Sequence, residues 1–320
     1  MEYRRLGEHG LKVSEISLGA WLTFGEQIDE DTARECMLAA HEAGVNYFDN
    51  ADVYAHGQAE IVMGQIMKDF KRSDLVISSK VFWPMGSGPN DRGLSRKHIM
   101  ESIHNSLKRL GTDYLDLYFC HRYDPETPLE EVVRAMDDLV HQGKILYWGT
   151  SEWRGGQIAH AAGLARQWGL YSPSVEQPQY HMFKRDVVET ELVEAARQHG
   201  VGLVTWSPLA SGVLTGKYND GIPAGSRLDH HEWLRRGLTP DKIEKVRQLT
   251  KVAKELGANT AQLALAWLLR LPEVSSVITG ASRANQVHEN LKAAELKDCL
   301  TPDVLERIEI ILDNDPNRST

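Results

Sequence analysis

The sequence predicts an α/β protein, a (β/α)8 TIM barrel with an N-terminal β-hairpin and extra C-terminal helices. Three observations predict it. Short apolar segments alternate with amphipathic ones in eight successive pairs, and strict alternation of strand and helix gives parallel strands joined by right-handed crossovers. The length of 320 residues suits a closed barrel of ~250 residues plus insertions. No linker rich in Pro, Gly or Ser divides the chain, so residues 1–320 are expected to form a single barrel domain. An open dinucleotide-binding sheet would need a glycine fingerprint after the first strand. The nearest match, Gly86-Ser87-Gly88-Pro89-Asn90-Asp91, fails at its last position.

The elements follow in order. Residues 3–14 read as a hairpin, two short runs around the turn between Gly7 and Gly10. The predicted strands span 16–20, 45–50, 75–81, 114–121, 145–151, 174–179, 202–207 and 274–280. Helices are predicted over 32–43, 59–67, 96–110, 129–141, 156–168 and 187–199, then 240–256 and 260–271 before the last strand, and 285–294 and 302–312 after it. Residues Ile99, Ile103, Leu107 and Leu110 mark the apolar face of the third. Glycine at 44, 111, 143, 200 and 257 supplies the helix stops. The one long connection, residues 208–238, is expected to be functional, as loops of that length in a compact domain usually are.

Composition excludes several classes. A net charge of −9 argues against nucleic acid, which needs a basic surface. No apolar stretch approaches the ~20 residues of a membrane helix, and the start MEYRRLGEHG has no signal-peptide core. The three cysteines (Cys36, Cys120, Cys299) are too dispersed for a disulfide framework or a metal site. A cytoplasmic, metal-free protein is expected.

In a barrel of this kind the chemistry sits where the strands end. The stretch Asn46–Tyr54, NYFDNADVY, leaves the second strand at Asp49 and reaches Tyr54 five residues on; the third strand ends in Lys80 and the fourth in His121. Taken singly, Asp49 could cap a turn, Lys80 snorkel and His121 bond the nearby backbone. Together they make a set suited to carbonyl reduction. A phenol with an ordinary pKa of ~10 is a weak acid. A neighbouring lysine, itself held by an aspartate, would stabilise its phenolate, and a histidine would orient the carbonyl or relay the proton. Tyr54 is thus read as acid, Lys80 as its tuner, Asp49 as the partner of Lys80, and Asn50 as a bystander. Trp83, Tyr123 and Trp233 could line an apolar substrate pocket.

The segments Phe48-Asp49-Asn50-Ala51-Asp52-Val53-Tyr54, Ser79-Lys80 and Phe119-Cys120-His121-Arg122 resemble the Asp-Tyr-Lys-His tetrad of the aldo-keto reductase superfamily. Within it the chain most resembles the voltage-gated potassium channel β-subunit branch. That likeness is carried by Arg92–Ile99 (RGLSRKHI), Tyr147–Ser151 (YWGTS), Glu176-Gln177, Tyr180–Phe183 (YHMF) and Thr205–Ala210 (TWSPLA), and it covers nearly the whole chain. The resemblance implies NADPH as cofactor and a small carbonyl compound as substrate. Trp206 would stack on the nicotinamide, Ser151 and Gln177 would bond its carboxamide, and Asp49 would approach its ribose. Ser207, Pro208, Leu209, Ala210 and Ser211 would run along the pyrophosphate, with Lys217 near the phosphates. Arg227 would meet the 2′-phosphate. Gly280 and Ser282 lead into a helix on which Gln286, Glu289 and Asn290 would hold the adenosine. Trp21 and Gln27 of the first loop complete the set.

The departures from the branch have consequences. His121 stands where animal channel subunits have asparagine, which favours a working reductase, as does a chain that starts directly at the hairpin. Glu152 stands where those subunits carry arginine. Gln286 replaces an arginine common in reductases, leaving Arg227 and Lys217 to favour NADPH over NADH. Two other readings stand beside the enzyme: an NADPH-binding accessory or redox-sensing subunit of a potassium channel, and a barrel lyase or hydrolase. The branch implies a homo-oligomer, a tetramer or larger.

Overall fold

In a computed structural model that describes residues 1–318, eight parallel strands close on themselves. A two-stranded antiparallel hairpin, β1 (Tyr3–Arg5) and β2 (Lys12–Ser14), precedes them. The barrel strands are β3 (Ile16–Gly19), β4 (Tyr47–Asp49), β5 (Val76–Val81), β6 (Leu115–Cys120), β7 (Ile145–Ser151), β8 (Val175–Gln177), β9 (Gly202–Thr205) and β10 (Val274–Thr279). Each pairs with its successor in sequence, and β10 returns to β3. All eight lie within the predicted strands, most of them a residue or two shorter.

Outside run α1 (Glu30–Glu42), α2 (Gln58–Ile66), α3 (Arg96–Leu110), α4 (Leu129–His141), α5 (Gly155–Trp168) and α6 (Val193–His199). They are followed by α7 (Arg227–His230), α8 (Pro240–Glu255), α9 (Thr260–Leu268), α10 (Ala284–Leu291), α11 (Ala293–Leu296) and α12 (Pro302–Leu312). Their ends are encoded locally. Asp29, Ser95, Thr239, Asn259 and Thr301 accept a backbone N–H of the first turn. Pro240 and Pro302 sit where a missing N–H costs nothing. Two predicted helices are interrupted. The stretch 187–199 opens with a π turn over Val188–Leu192, where the Thr190 hydroxyl donates to the Asp186 carbonyl, and 285–294 breaks at Lys292 into α10 and α11. The connection 208–238 is not structureless: it holds 3-10 turns over Ala210–Thr215 and Glu232–Gly237, with α7 between them.

The two-residue period of the strands sorts their side chains. Phe48, Ile77, Tyr118 and Trp148 point outward into the helix-packed core, while Tyr47, Leu117, Phe119, Val175, Val204 and Ile278 fill the barrel. Leu6 and Val13 of the hairpin join that inner cluster and close its lower end. The closure is tight at Gly7, whose φ is +55° and where a Cβ would stand 2.2 Å from the Gly200 carbonyl oxygen. Among the described residues no helix is long and apolar enough to cross a membrane.

Candidate active site

Two residues above the inner apolar layer, the same strand faces carry different chemistry. Asp49 follows Tyr47 on β4, Lys80 follows Ser78 on β5, His121 follows Phe119 after β6, and Gln177 follows Val175 on β8. The period that buries one set at mid-barrel therefore brings the other to the mouth. Tyr54 arrives from the β4–α2 loop through a costly turn. Ala55 and His56 both adopt left-handed φ, +47° and +51°, a conformation worth about 1–2 kcal/mol against a residue with a Cβ.

Lys80 is fully buried and all three of its ammonium protons are placed. They go to Asp49 Oδ2 at 2.7 Å, to the Asn50 carbonyl at 2.6 Å and to Tyr54 OH at 3.1 Å. Because Lys80 is the donor to the phenol oxygen, the Tyr54 proton is free to point into the cavity. Asp49 Oδ1 in turn accepts from Ser78 Oγ at 2.7 Å, Gln177 Nε2 at 2.9 Å and Tyr47 OH at 3.4 Å. Asn50 is not the bystander the sequence suggested: its backbone carbonyl holds the lysine, while its side chain turns to the Ala51 N–H.

The electrostatics differ from the simple expectation. Burial, and then the Asp49 charge, push the Tyr54 phenol well above its ordinary value, with Arg122 pulling the other way. Lys80 is lowered by burial against the opposing pull of Asp49. The Lys80–Asp49 pair is neutral as a whole, so it does not lower the resting phenol as a lone cation would. Burial, Lys80 and Arg122 together hold His121 well below the usual imidazole range, so it is uncharged. Its Nδ1 is buried without a hydrogen-bond partner among the described residues, and its ring stands 5.9 Å from that of Tyr54, edge to face.

A cavity of about 1210 Å³ runs from this group across the barrel mouth. Tyr54, His121 and Asp49 line it, with Lys80 screened behind them. Trp21, Gln27, Ser151, Gln177, Trp206 and Ser207 also line it, as do Pro208, Leu209, Ser211, Lys217 and Arg227. Gly280, Ser282, Gln286, Glu289 and Asn290 complete the far wall. Ala210 does not line it; with φ at +49° its side chain packs on the core instead. Several of these groups are already engaged. The Ser151 hydroxyl donates to the Gln177 carbonyl at 2.9 Å, and Gln286 Oε1 accepts from the Ser282 N–H at 2.9 Å. Of the proposed pocket aromatics only Trp83 lines the cavity. Tyr123 packs edge-on against Trp153 at 4.9 Å, and Trp233 is 60% exposed on the surface.

Two residues named in the sequence analysis, Glu152 and Arg122, were given no role in the site there. Glu152, with φ at +58°, accepts from the Trp206 indole at 3.0 Å and from the Gln179 N–H at 2.5 Å, fixing the ring. Trp21 meets the same indole edge-on at 5.5 Å. Arg122 lines the cavity beside His121. Its place directly after a strand-end histidine was the available signal.

Comparison with known proteins places the chain among relatives of one family. The family model of the aldo/keto reductase family matches residues 15–313. A protein of Arabidopsis thaliana named "Probable voltage-gated potassium channel subunit beta" is 52% identical over 324 aligned positions, covering 99% of this chain and 98% of the relative. One of Oryza sativa subsp. japonica with the same name is 51% identical over 325 positions, covering 100% of this chain and 99% of its own.

Proposed function

This chain belongs to the aldo/keto reductase family, membership that supports an oxidoreductase, and we propose that it reduces aldehydes or ketones to alcohols with NADPH. One observation carries the reading: Lys80 spends its three protons on Asp49, the Asn50 carbonyl and the Tyr54 oxygen. That leaves the phenol with one free proton at the wall of a large cavity.

The residues present fit a phosphorylated dinucleotide. Arg227 lines the cavity, has no carboxylate partner within 4.0 Å among the described residues, and is desolvated enough to be lowered from its ordinary value. A guanidinium in that condition is suited to a phosphate. Lys217 lies along the same wall, its side chain against Gly212, where a Cβ would meet it at 2.8 Å. Trp206, held by Glu152, offers a fixed ring face at the reaction end. When bound, NADPH would supply the hydride.

The protein's part is proton delivery and placement. Neutral His121 can donate one N–H to the carbonyl oxygen, placing it beside Tyr54 OH. As negative charge builds on that oxygen, Tyr54 gives up its proton and Lys80 holds the phenolate left behind. The names of the relatives favour a second reading, an NADPH-binding accessory subunit of a potassium channel that turns over slowly. Turnover separates the two. With a panel of small aldehydes, NADPH oxidation should be sustained and should fall ~10²-fold or more in Tyr54→Phe, the lower end of a general acid's contribution. A variant that keeps the full kcat on the best substrate removes Tyr54 from the role of acid.

A further inference from the structure

At the reaction end of the cavity one strong cation has no charged partner. Arg122 lines the wall with Tyr54, Trp83 and His121. Its guanidinium lies 5.5 Å over the centroid of the Trp83 ring, and its Nη1 donates to the His121 backbone carbonyl. Among the described residues no carboxylate comes within 4.0 Å of it. The cavity's carboxylates are Asp49, Glu26 and Glu289; Asp49 is committed to Lys80, and the other two do not reach Arg122.

Its charge is nonetheless felt by the reacting groups. Arg122 draws the Tyr54 phenol down and disfavours protonation of both His121 and Lys80. A guanidinium carries five N–H donors in a fixed fork, and the carbonyl of His121 takes only part of that capacity. Against the Trp83 ring, a half-buried cation is costly without a counter-charge, and an incoming anion would bind more strongly than in water. The Lys217–Arg227 wall is suited to phosphates of the cofactor; Arg122, beside Tyr54 and His121, faces where the substrate must lie.

We propose that Arg122 is a specificity residue that binds an anionic group, carboxylate or phosphate, carried by the carbonyl substrate. The substrate class is then short oxo acids or phosphorylated aldehydes. This rests on the reductase reading above. The proposed reaction is unchanged: the carbonyl carbon would gain a hydride, which NADPH would supply when bound, its oxygen would gain the Tyr54 proton, and the anionic group would only anchor the molecule.

The test compares kcat/KM for a series of ω-oxo acids of increasing length with that for their methyl esters. A second arm compares glyceraldehyde 3-phosphate with glyceraldehyde, which separates the two anion sources. In the wild type at least one anionic member should outperform its neutral partner, the more so at low salt. In Arg122→Met that ratio should fall ~10- to 100-fold, the range of a charge-assisted hydrogen bond. Effects of the substitution on Tyr54 or Trp83 act on both substrates and cancel in the ratio. Arg122→Lys keeps the charge without the fork and should retain part of the preference; it gives the readout if the methionine variant does not fold. A ratio that stays at one in the wild type, or does not change in the variants, overturns the proposal and leaves Arg122 as a prop for Trp83. If no aldehyde is turned over and Tyr54→Phe matches the wild type, the reductase reading falls and the proposal with it.

Discussion

Lys80→Met removes the hub of the site and isolates the Asp49 charge. Both side chains are almost inaccessible, 0% for Lys80 and 3% for Asp49. Removing one partner of such a buried pair costs ~3–5 kcal/mol, because the other charge stays behind. Here Ser78, Gln177 and Tyr47 still donate to Asp49, which points to the low end, ~3 kcal/mol. Asp49→Asn should cost a similar ~3 kcal/mol, since the ammonium keeps only two neutral oxygens, of Asn50 and Tyr54. The double variant buries no charge at all and should lie within ~2 kcal/mol of the wild type. The coupling is then ~4 kcal/mol, well outside the ~0.5 kcal/mol scatter of additive pairs.

Urea unfolding of the four proteins, followed by tryptophan fluorescence, measures the cycle, and NADPH oxidation is read on the same samples. Stability should return in the double variant while turnover does not, because Tyr54 has lost the donor that holds its oxygen. Additive destabilisation would show that the pair is not a coupled buried charge. Recovered turnover would show that Lys80 only supports the fold.

Two further outcomes follow from the charges. Arg227→Ala should weaken NADPH ~10-fold or more, as loss of a charge-assisted contact does, and NADH far less, by fluorescence titration; equal weakening removes its role at the 2′-phosphate. Glu176 is buried on β8 and its carboxyl is pushed up to about 8, mainly by burial, against donation from the Thr150 hydroxyl at 2.5 Å. Its folded pKa lies above its unfolded one, so its contribution is fully present below pH ~4.5 and is lost as pH rises towards 8, at up to ~1.4 kcal/mol per unit. Glu176→Gln should remove that slope from the urea midpoint between those values. A slope that persists unchanged assigns it to another group, and Asp52, pushed up to about 7 by burial and the nearby Glu60, is the first to test.

The barrel and the shared placement of Asp49, Lys80 and His121 were legible because both depend on strand period. Once the strands are assigned, Asp49, Lys80 and His121 must share the inner face at the same end, whatever the loops do. Loops follow other rules. Ser207, Ala210 and Ser211 all adopt φ near +50° without being glycine, so nothing in their residue types says which side chains meet the cavity. Ala210 turned away for that reason, and Tyr123 and Trp233 found other surroundings. Glu152 stood out only as a departure from the branch; its contact was hidden on the same account, since its left-handed backbone brings its carboxylate to the Trp206 indole. The contact of the Asn50 carbonyl with Lys80 is a backbone property, which a reading of side chains does not reach.

A phenol raised above its ordinary pKa looks ill-suited to act as an acid, yet the arrangement around Tyr54 makes that state useful. In the proposed reduction, acidity is needed only against an alkoxide, a far stronger base than water. In a resting site, a phenol kept protonated by burial and by Asp49 is always ready to donate. Lys80 reaches it from the side away from the cavity, as donor to an oxygen that is neutral before proton transfer and anionic after it. A hydrogen bond of that kind strengthens as the charge forms, so it favours the transition state over the ground state, the differential that accelerates a reaction. Asp49 and the Asn50 carbonyl hold the ammonium in place beforehand, so no reorganisation accompanies the transfer. The neutral Lys80–Asp49 pair would therefore cost the protein little of the acidity that the proposed reaction needs. In that reaction it would give Tyr54 a partner whose pull grows at the moment the proton leaves.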